Sequence, residues 1–311
     1  SGKGGIQANW KAVTGINTSG IRIGVSGGNR GAVMAVSTAD YSAAYKGIGI
    51  EDSVDFEAQY AAEGFADIRA IAAKVGLEAL MLGEEILLLG GNGTVALGTT
   101  PTPSVSVSTT GGAIGATQYV NVVALTLEGY LNASVTAGIP TQVTRTNADA
   151  STDTFGGGSA QKSAQATATY VSGAASILAT VAAVRGAVAY AWYWGSSTSN
   201  GVLGAITTTN TYTIVGAAAG TQLLTSLPAS DSSTNNLVFD GLLTQAMKAG
   251  SNAYYRSLDG AQLTTDNAGG IVEIDVALKA FWDNYRLTPD TIWVASRGAL
   301  TISQKILATI S

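Results

Sequence analysis

The sequence predicts an α+β protein in which one long helix and a β-rich region occupy successive parts of the chain. Three stretches carry this prediction: an amphipathic run from Val54 to Leu89, a charge-poor series of short β runs from Pro103 to Val215, and a mixed segment from Leu237 to Ser311. Because these patterns follow one another and do not alternate, we expect the helices and strands to be segregated along the chain.

The first part, residues 1–53, contains a predicted β-hairpin. Two short runs, GIRIGV and GAVMAV, flank the sequence SGGNRG, and a Gly-Gly-Asn joint between β runs is typical of a hairpin turn. Neither run contains many large apolar residues, so the hairpin has too little apolar surface to be stable alone in water. We therefore expect it to lie against another surface.

The second part, residues 54–102, is predicted to be one helix followed by a Gly/Thr/Pro-rich linker. Acidic residues crowd the start of the helix and Gly90-Gly91 follows its end, as helix termini prefer. At a rise of 1.5 Å per residue such a helix would be roughly 50 Å long. Residues at alternating spacings of about three and four form one apolar stripe: Phe65, Ile68, Ala72, Val75, Ala79, Leu82, Ile86 and Leu89.

The third part, residues 103–215, is predicted to be an inserted β-sandwich-like domain. Turn clusters separate its strand candidates at the spacing of a sandwich: SVSVS, QYVNVVALTL, ATATYV, GAVAYAWYWG and TYTIVG. In the fourth candidate Val188, Tyr190, Trp192 and Trp194 share one face, opposite a face of mostly small residues. The aromatic face favours core packing, and the alternative is a sugar-binding platform.

The fourth part, residues 216–311, begins with a connector rich in Ala, Gly, Ser and Thr and then regains mixed α/β character. Ile274, Ala277, Leu278 and Phe281 have helical spacing, and the run TIWVAS that follows Pro289 is predicted to be a buried strand. The apolar stripe of the last helix is unfinished at the end of the sequence. We therefore expect further structure to complete this domain.

The residue composition excludes most enzyme chemistry. The 311 residues include no His and no Cys, which removes Ser/His and Cys/His nucleophilic sites and the usual zinc ligands. Four acidic residues, Glu273, Asp275, Asp283 and Asp290, are interpreted as a solvated helix face with a cap and not as a catalytic pair or metal site. We therefore predict no catalytic, cofactor-binding or metal-binding residues, and an enzyme is the weakest functional hypothesis.

The scarcity of charge points towards burial against other protein. Only 12% of the residues are charged, and the net charge is −5; soluble domains usually have about 25% charged residues. Crowded shells and fibres bury surface that a free enzyme would keep charged. The basic residues are scattered singly, which argues against specific nucleic-acid binding, and no apolar run is long enough to span a membrane.

The order of hairpin, long helix, Gly-Asn stop and a later helix followed by LTPDTIWV resembles the major capsid proteins of tailed bacteriophages, which share the Hong Kong 97-type capsid fold. The strongest matches are IRAIAAKVGLEALMLGEEILLLGGNG and IDVALKAFWDNYRLTPDTIWV, and VVALTLEGY and AYAWYWG are similar to a subset with an inserted β-rich domain. The resemblance implies an extended loop in residues 1–53, a spine helix in 54–102 and an axial-type α/β domain in 216–311.

The resemblance also implies a function and a set of partners. The chain would self-assemble through hexamers and pentamers into the icosahedral head that encloses double-stranded DNA, in the host cytoplasm and then the virion, without a cofactor. A decoration or cement protein would be a further partner. Subunit contacts are expected at Ile21, Ile23, Val33, Met34, Phe65, Ile68 and Leu82. The alternative is a carbohydrate-binding or adhesin-type protein that uses the Trp192/Trp194 strand.

Overall fold

The computed structural model describes residues 5–16, 27–28, 35–64, 67–171, 176–251, 253–258 and 260–307. The protein is a mixed α+β chain, as predicted. It divides into two compact units, the first formed by residues 1–85 with 237–239, and the second by residues 86–236 with 240–311.

A two-stranded antiparallel hairpin opens the first unit. Strand β1 (Gln7–Ile16) pairs with β2 (Val36–Ala44), and the register shifts between Val13 and Gly15, where Thr14 is the extra residue of a bulge. The Thr14 hydroxyl donates to the Ser37 carbonyl across this bulge at 3.2 Å. Gly27 and Gly28 both have positive φ angles, as a tight turn requires. The two runs predicted as strands, 20–25 and 31–36, lie almost wholly outside the described residues.

Two helices, and not one, follow the hairpin. Helix α1 (Phe56–Ala61) is separated from helix α2 (Ile68–Gly90), so the single helix predicted from Val54 to Leu89 is wrong. Gly64 has a φ of +87°, a left-handed conformation that ends helices. The Asp67 carboxylate then accepts a hydrogen bond from the Ala70 amide at 3.1 Å, which caps a new N-terminus. The 23 residues of α2 span about 35 Å.

A β-sandwich forms the centre of the second unit. Its seven strands are β3 (Ser104–Ser108), β4 (Gln118–Leu125), β7 (Ala166–Ala168), β8 (Ser176–Thr180), β9 (Ala189–Gly195), β10 (Val202–Thr207) and β11 (Thr211–Ile214). One sheet has the order β10-β9-β4-β7 and the other β11-β8-β3, with all pairs antiparallel. A separate hairpin joins β5 (Gln142–Thr146) to β6 (Thr152–Gly156), and helix α3 (Leu127–Leu131) follows β4.

Both faces of the four-stranded sheet are buried. On the face towards the second sheet, Val122 and Trp192 pack with Ile177 and Ile214. On the opposite face, Tyr193 and other residues pack under Ile139, Leu224 and Leu227, which come from segments outside the sheets. Burial on both faces explains why β4 has an almost continuous apolar sequence, QYVNVVAL, without polar alternation.

The segment predicted as a linker is an integral part of this unit. The Asn92 amide donates to the Ser233 carbonyl at 3.0 Å, and the Ser233 hydroxyl accepts from the Leu97 amide at 2.8 Å. The Thr100 hydroxyl accepts from the Ala124 amide of β4 at 3.0 Å. Both sides of the predicted domain 103–215 are therefore built into the same folded body, which differs from the predicted boundaries at 102 and 215.

The regular secondary structure of the C-terminal part is helical in the described residues. Helices α4 (Leu242–Met247), α5 (Val272–Tyr285) and α6 (Ser296–Leu307) follow one another, and no strand is assigned within the described part of 216–307. The predicted buried strand TIWVAS is wrong, because residues 291–295 belong to no strand and Trp293 is 91% exposed. The mixed α/β character predicted for this segment is therefore absent from its described residues.

Candidate assembly surface

Two acidic residues of the C-terminal part make local contacts. The Glu273 carboxylate accepts a hydrogen bond from the Thr264 amide at 2.8 Å, and this bond lowers the pKa of Glu273. Lys279 donates to Asp283 at 2.6 Å and lowers the pKa of that carboxyl. Within the described ranges, no three His, Cys, Asp or Glu side chains converge as metal ligands. Carboxylates held ionised in this way are unsuited to act as proton donors.

The Trp192/Trp194 strand lies inside the sandwich. Trp192 is 0% exposed and Trp194 is 4% exposed. The Trp192 indole donates to the Thr207 hydroxyl at 2.8 Å, and the Trp194 indole donates to the Gly216 carbonyl at 2.9 Å. A sugar platform needs an exposed ring face, so this geometry gives no support to a carbohydrate site on β9.

The hairpin β1–β2 is exposed on both faces. Only Ala8, Ala12 and Ala39 of its described side chains are even half-buried. Trp10 and Tyr41 are cross-strand partners whose rings stack with centroids 6.0 Å apart, yet they remain 50% and 47% exposed. Two strands without a covering layer are marginally stable in water. The described part of this hairpin is therefore largely exposed, whereas the two runs predicted as its strands lie almost wholly outside the described residues.

Helix α2 exposes far more apolar surface than one stripe. Seven large apolar side chains are between 45% and 61% exposed: Ile71, Val75, Leu77, Met81, Leu82, Leu88 and Leu89. At about 100° per residue they fall on two faces that flank a narrow polar strip. This strip carries Lys74, Glu78 and Glu85, and Lys74 pairs with Glu78 at 3.8 Å. We call the seven side chains the α2 apolar surface.

The remaining side of α2 is half-buried. Ile68, Ala72, Gly76 and Leu80 follow one another along this side at intermediate exposure. Further along, a methyl group on Gly83 would lie 3.3 Å from Ile48 Cδ1, so the segment after β2 runs close to the helix there. The helix therefore has one half-buried side and two exposed apolar sides.

The predicted contact residues divide between described and undescribed parts of the chain. Ile21, Ile23, Val33, Met34 and Phe65 lie outside the described residues. Of the other two, Ile68 is half-buried, whereas Leu82 belongs to the α2 apolar surface. A contact between subunits at any of the seven stays a prediction.

Sequence reasoning missed the second apolar side of α2. Leu77, Met81 and Leu88 lie on the side away from the predicted stripe, and they are as exposed as Leu82. The signal was present, because a helix that is apolar almost all round is buried in its functional state. A single apolar stripe accounts for only one of the two apolar sides of the helix.

A second apolar surface lies in the C-terminal part. An open groove of about 960 Å³ is lined by Ile274, Phe281, Leu287, Ile292 and Trp293 among other residues. Helices α5 and α6 contain no buried residue among those described. None of the helices in the described ranges has the length and apolar character that a membrane span requires.

Comparison of the chain with protein-family models, with curated proteins and with solved structures finds no match in any of the three.

Proposed function

We propose that this chain is a structural shell subunit, the major capsid protein of a tailed bacteriophage with a Hong Kong 97-type fold. In this proposal its copies assemble through hexamers and pentamers into an icosahedral head around double-stranded DNA, first in the host cytoplasm and then as the virion. A decoration or cement protein is a further partner. No reaction is assigned to the chain.

The α2 apolar surface is the observation that carries the proposal. Its seven side chains are roughly half exposed, and covering each would contribute on the order of 1 kcal/mol, since full burial of such a side chain contributes about 1.5–3 kcal/mol. Contiguous apolar surface on a soluble chain marks an interface. A surface that extends along about 35 Å of helix suits contact with neighbouring copies on two sides.

The hairpin supports the same proposal from another direction. Its strands have 10 and 9 residues, and among the described residues nearly all of its side chains are exposed. A neighbouring subunit would supply the missing layer, as extended segments often gain their stability from a partner surface. The low charge of the chain also limits repulsion between many identical copies.

The acidic net charge limits how the subunit would contact the enclosed DNA. A net charge of −5 with scattered Lys and Arg gives no cluster that could displace many counterions from DNA. The shell would therefore enclose DNA by forming a closed wall, without sequence-specific contacts.

The proposal is tested by the assembly state of the purified chain. We expect dynamic light scattering and negative-stain electron microscopy to show closed, uniform particles or their capsomers. The double variant Val75→Gln/Leu82→Gln places two amides on the α2 apolar surface, and we expect it to remain folded while it loses closed particles.

The matched control is Lys74→Gln/Glu78→Gln. It introduces the same two residues one turn apart on the polar strip, leaves the net charge unchanged and removes a surface ion pair that contributes about 0.3–0.5 kcal/mol. We expect this control to assemble normally. A wild-type chain that stays monomeric at every concentration would contradict the shell proposal, and equal assembly of the two variants would contradict the role of α2.

A further inference from the structure

The sequence contains two Asn-Gly pairs, Asn92-Gly93 and Asn200-Gly201. Such a pair can react with itself, because the glycine amide nitrogen can attack the asparagine Cγ and no glycine side chain obstructs its approach. The bond from Cγ to Nδ2 then breaks, and ammonia leaves with the amide proton of the glycine. The product is a succinimide ring, which water opens to aspartate or isoaspartate. The reaction needs no oxidant, reductant or metal.

The side chain of Asn92 is held at both ends of its amide. The residue is 4% exposed, and its Oδ1 accepts a hydrogen bond from the Val95 amide at 2.9 Å. Its Nδ2 donates to the Val95 carbonyl at 2.7 Å and to the Ser233 carbonyl at 3.0 Å. Loss of Nδ2 as ammonia would break both of these bonds and leave two carbonyl groups without their donor. The hydrogen bonds of the folded chain therefore oppose ring closure at Asn92.

The attacking atom at this site, the Gly93 amide nitrogen, is bound by Asp240. Asp240 Oδ1 accepts from the Gly93 and Thr94 amides, both at 2.9 Å, and Oδ2 lies 3.1 Å from Lys248 Nζ. Burial raises the pKa of Asp240, but hydrogen bonds from Thr94 and Lys248 lower it further, so that it lies below the usual 3.8. The carboxylate is therefore a weak base, and its negative charge opposes deprotonation of the Gly93 nitrogen.

Asn200 is held less tightly than Asn92. It is an exposed residue of the connection between β9 and β10. Its Oδ1 accepts from the Ser197 amide at 2.8 Å, but its Nδ2 lies 3.4 Å from the Ser196 hydroxyl, which is long for a hydrogen bond. The nitrogen that leaves in the reaction is therefore weakly bound at this site. Asn200 provides a reference for Asn92 within the same molecule.

We propose that Asn92-Gly93 is a latent deamidation site that Asp240 keeps closed. Opening of the Asp240 contact frees the Gly93 nitrogen, and Asn92 is then converted once and irreversibly. Aspartate at this position sets a carboxylate oxygen against the carbonyls of Val95 and Ser233, where Nδ2 had donated. Isoaspartate also adds a methylene group to the main chain. Either product weakens the contact of residues 91–95 with Ser233, independently of the shell proposal.

The test is incubation of the purified chain in mildly alkaline buffer, with peptide mass spectrometry of both Asn-Gly pairs over time. In the folded wild type we expect conversion of Asn200 to be faster than that of Asn92, and in denaturant we expect similar rates. Asp240→Ala should accelerate the conversion of Asn92 by at least about tenfold, equivalent to 1.4 kcal/mol, without changing the rate at Asn200. Asp240→Asn keeps the side-chain shape without the charge, and we expect acceleration there too.

Asp231→Ala is the matched control. The Asp231 carboxylate also accepts from two backbone amides, those of Gly98 at 2.8 Å and Ser233 at 2.9 Å. Its removal loosens the same part of the chain without freeing Gly93, so we expect little acceleration at Asn92. Thermal unfolding verifies that the variants remain folded during the incubation. Conversion of Asn92 as fast as that of Asn200 in the folded wild type would overturn the proposal, and so would equal rates at Asn92 in the two alanine variants.

Discussion

In the second unit, burial changes the pKa of one glutamate. Glu128 in the first turn of α3 is partly buried, and its Oε1 accepts a hydrogen bond from Asn235 Nδ2 at 3.0 Å. Burial raises the pKa of Glu128 above the ordinary 4.5, and the hydrogen bond from Asn235 opposes this rise only in part. Local sequence does not indicate this interaction, because Asn235 is 107 residues away along the chain.

Glu128→Gln should stabilise the protein at neutral pH. A raised pKa means that the folded state binds the proton more tightly than the unfolded state does, so this group favours folding at low pH and loses that contribution as the pH rises through its folded pKa. Gln stays neutral and keeps an oxygen for Asn235. We expect a higher melting temperature for the variant at neutral pH and no advantage well below pH 4.5.

Thermal unfolding at both pH values checks this prediction, with Asp290→Asn as a control that removes an exposed charge from the same unit. The physical account would be wrong if Glu128→Gln melted no higher than the wild type at neutral pH, or if its advantage were larger in acid.

Among the elements, helix α2 was predicted by local sequence pattern, whereas the break that precedes it was not. The apolar periodicity predicted a helix here, and 23 residues of it are helical. The break before Ile68 depends on the left-handed Gly64 and on the Asp67 cap, and both residue types also occur inside helices. Periodicity continues across such a break, so the pattern alone does not reveal it.

Gly76→Ala should stabilise helix α2. Gly76 lies in the middle of the helix, and a methyl group there would meet no atom within 4 Å. Alanine is favoured over glycine in a helix interior by about 0.5–1 kcal/mol. We expect a gain of this size in the free energy of unfolding of the monomeric chain, measured by denaturant titration followed by far-UV circular dichroism.

Gly83→Ala provides the comparison within the same helix. There the added methyl group would lie 3.3 Å from Ile48 Cδ1, and the side chain of Ile48 would have to shift. Its gain should be smaller than that of Gly76→Ala. Equal gains at both positions would show that the segment near Ile48 does not rest on the helix.

For the whole molecule, the distribution of burial is the dominant feature. All described residues that are buried lie between Gly90 and Ile271. The hairpin, α1, most of α2, and helices α5 and α6 have no core of their own. Such a molecule has one stable body and additional elements that depend on other surfaces for their stability.

Hydrogen exchange of the free chain should reproduce this division. We expect the amides of β4 and β9 to exchange slowest, since both strands are central in a sheet buried on two faces. Amides of β1, β2, α5 and α6 should exchange earlier, because local opening there exposes little additional apolar surface. Mass spectrometry of peptides over time provides the measurement.

The same experiment on assembled particles should show new protection in α2 and in the hairpin, with little change in β4. Slow exchange of α2 in the free monomer would contradict the view that its apolar surface awaits a neighbour.

Local sequence patterns were sufficient to predict the α+β class, the run of strands between Ser104 and Ile214, and the aromatic core face of β9. Each of these depends on a local periodicity or on composition, and both can be read from a short segment without knowing which other segment packs against it. Strands β5, β6, β8 and β10 were not among the predicted runs, because their short, Thr- or Ala-containing sequences differ little from the turns beside them.

The way in which distant segments combine depends on tertiary packing. This packing placed Leu224 and Leu227 over the second face of the sheet, tied Asn92 to Ser233, left Trp293 exposed and left Asn210 Oδ1 without a donor. These outcomes depend on which surfaces meet after the chain has folded back on itself. A local pattern records what a segment can bury, but not which other segment covers it.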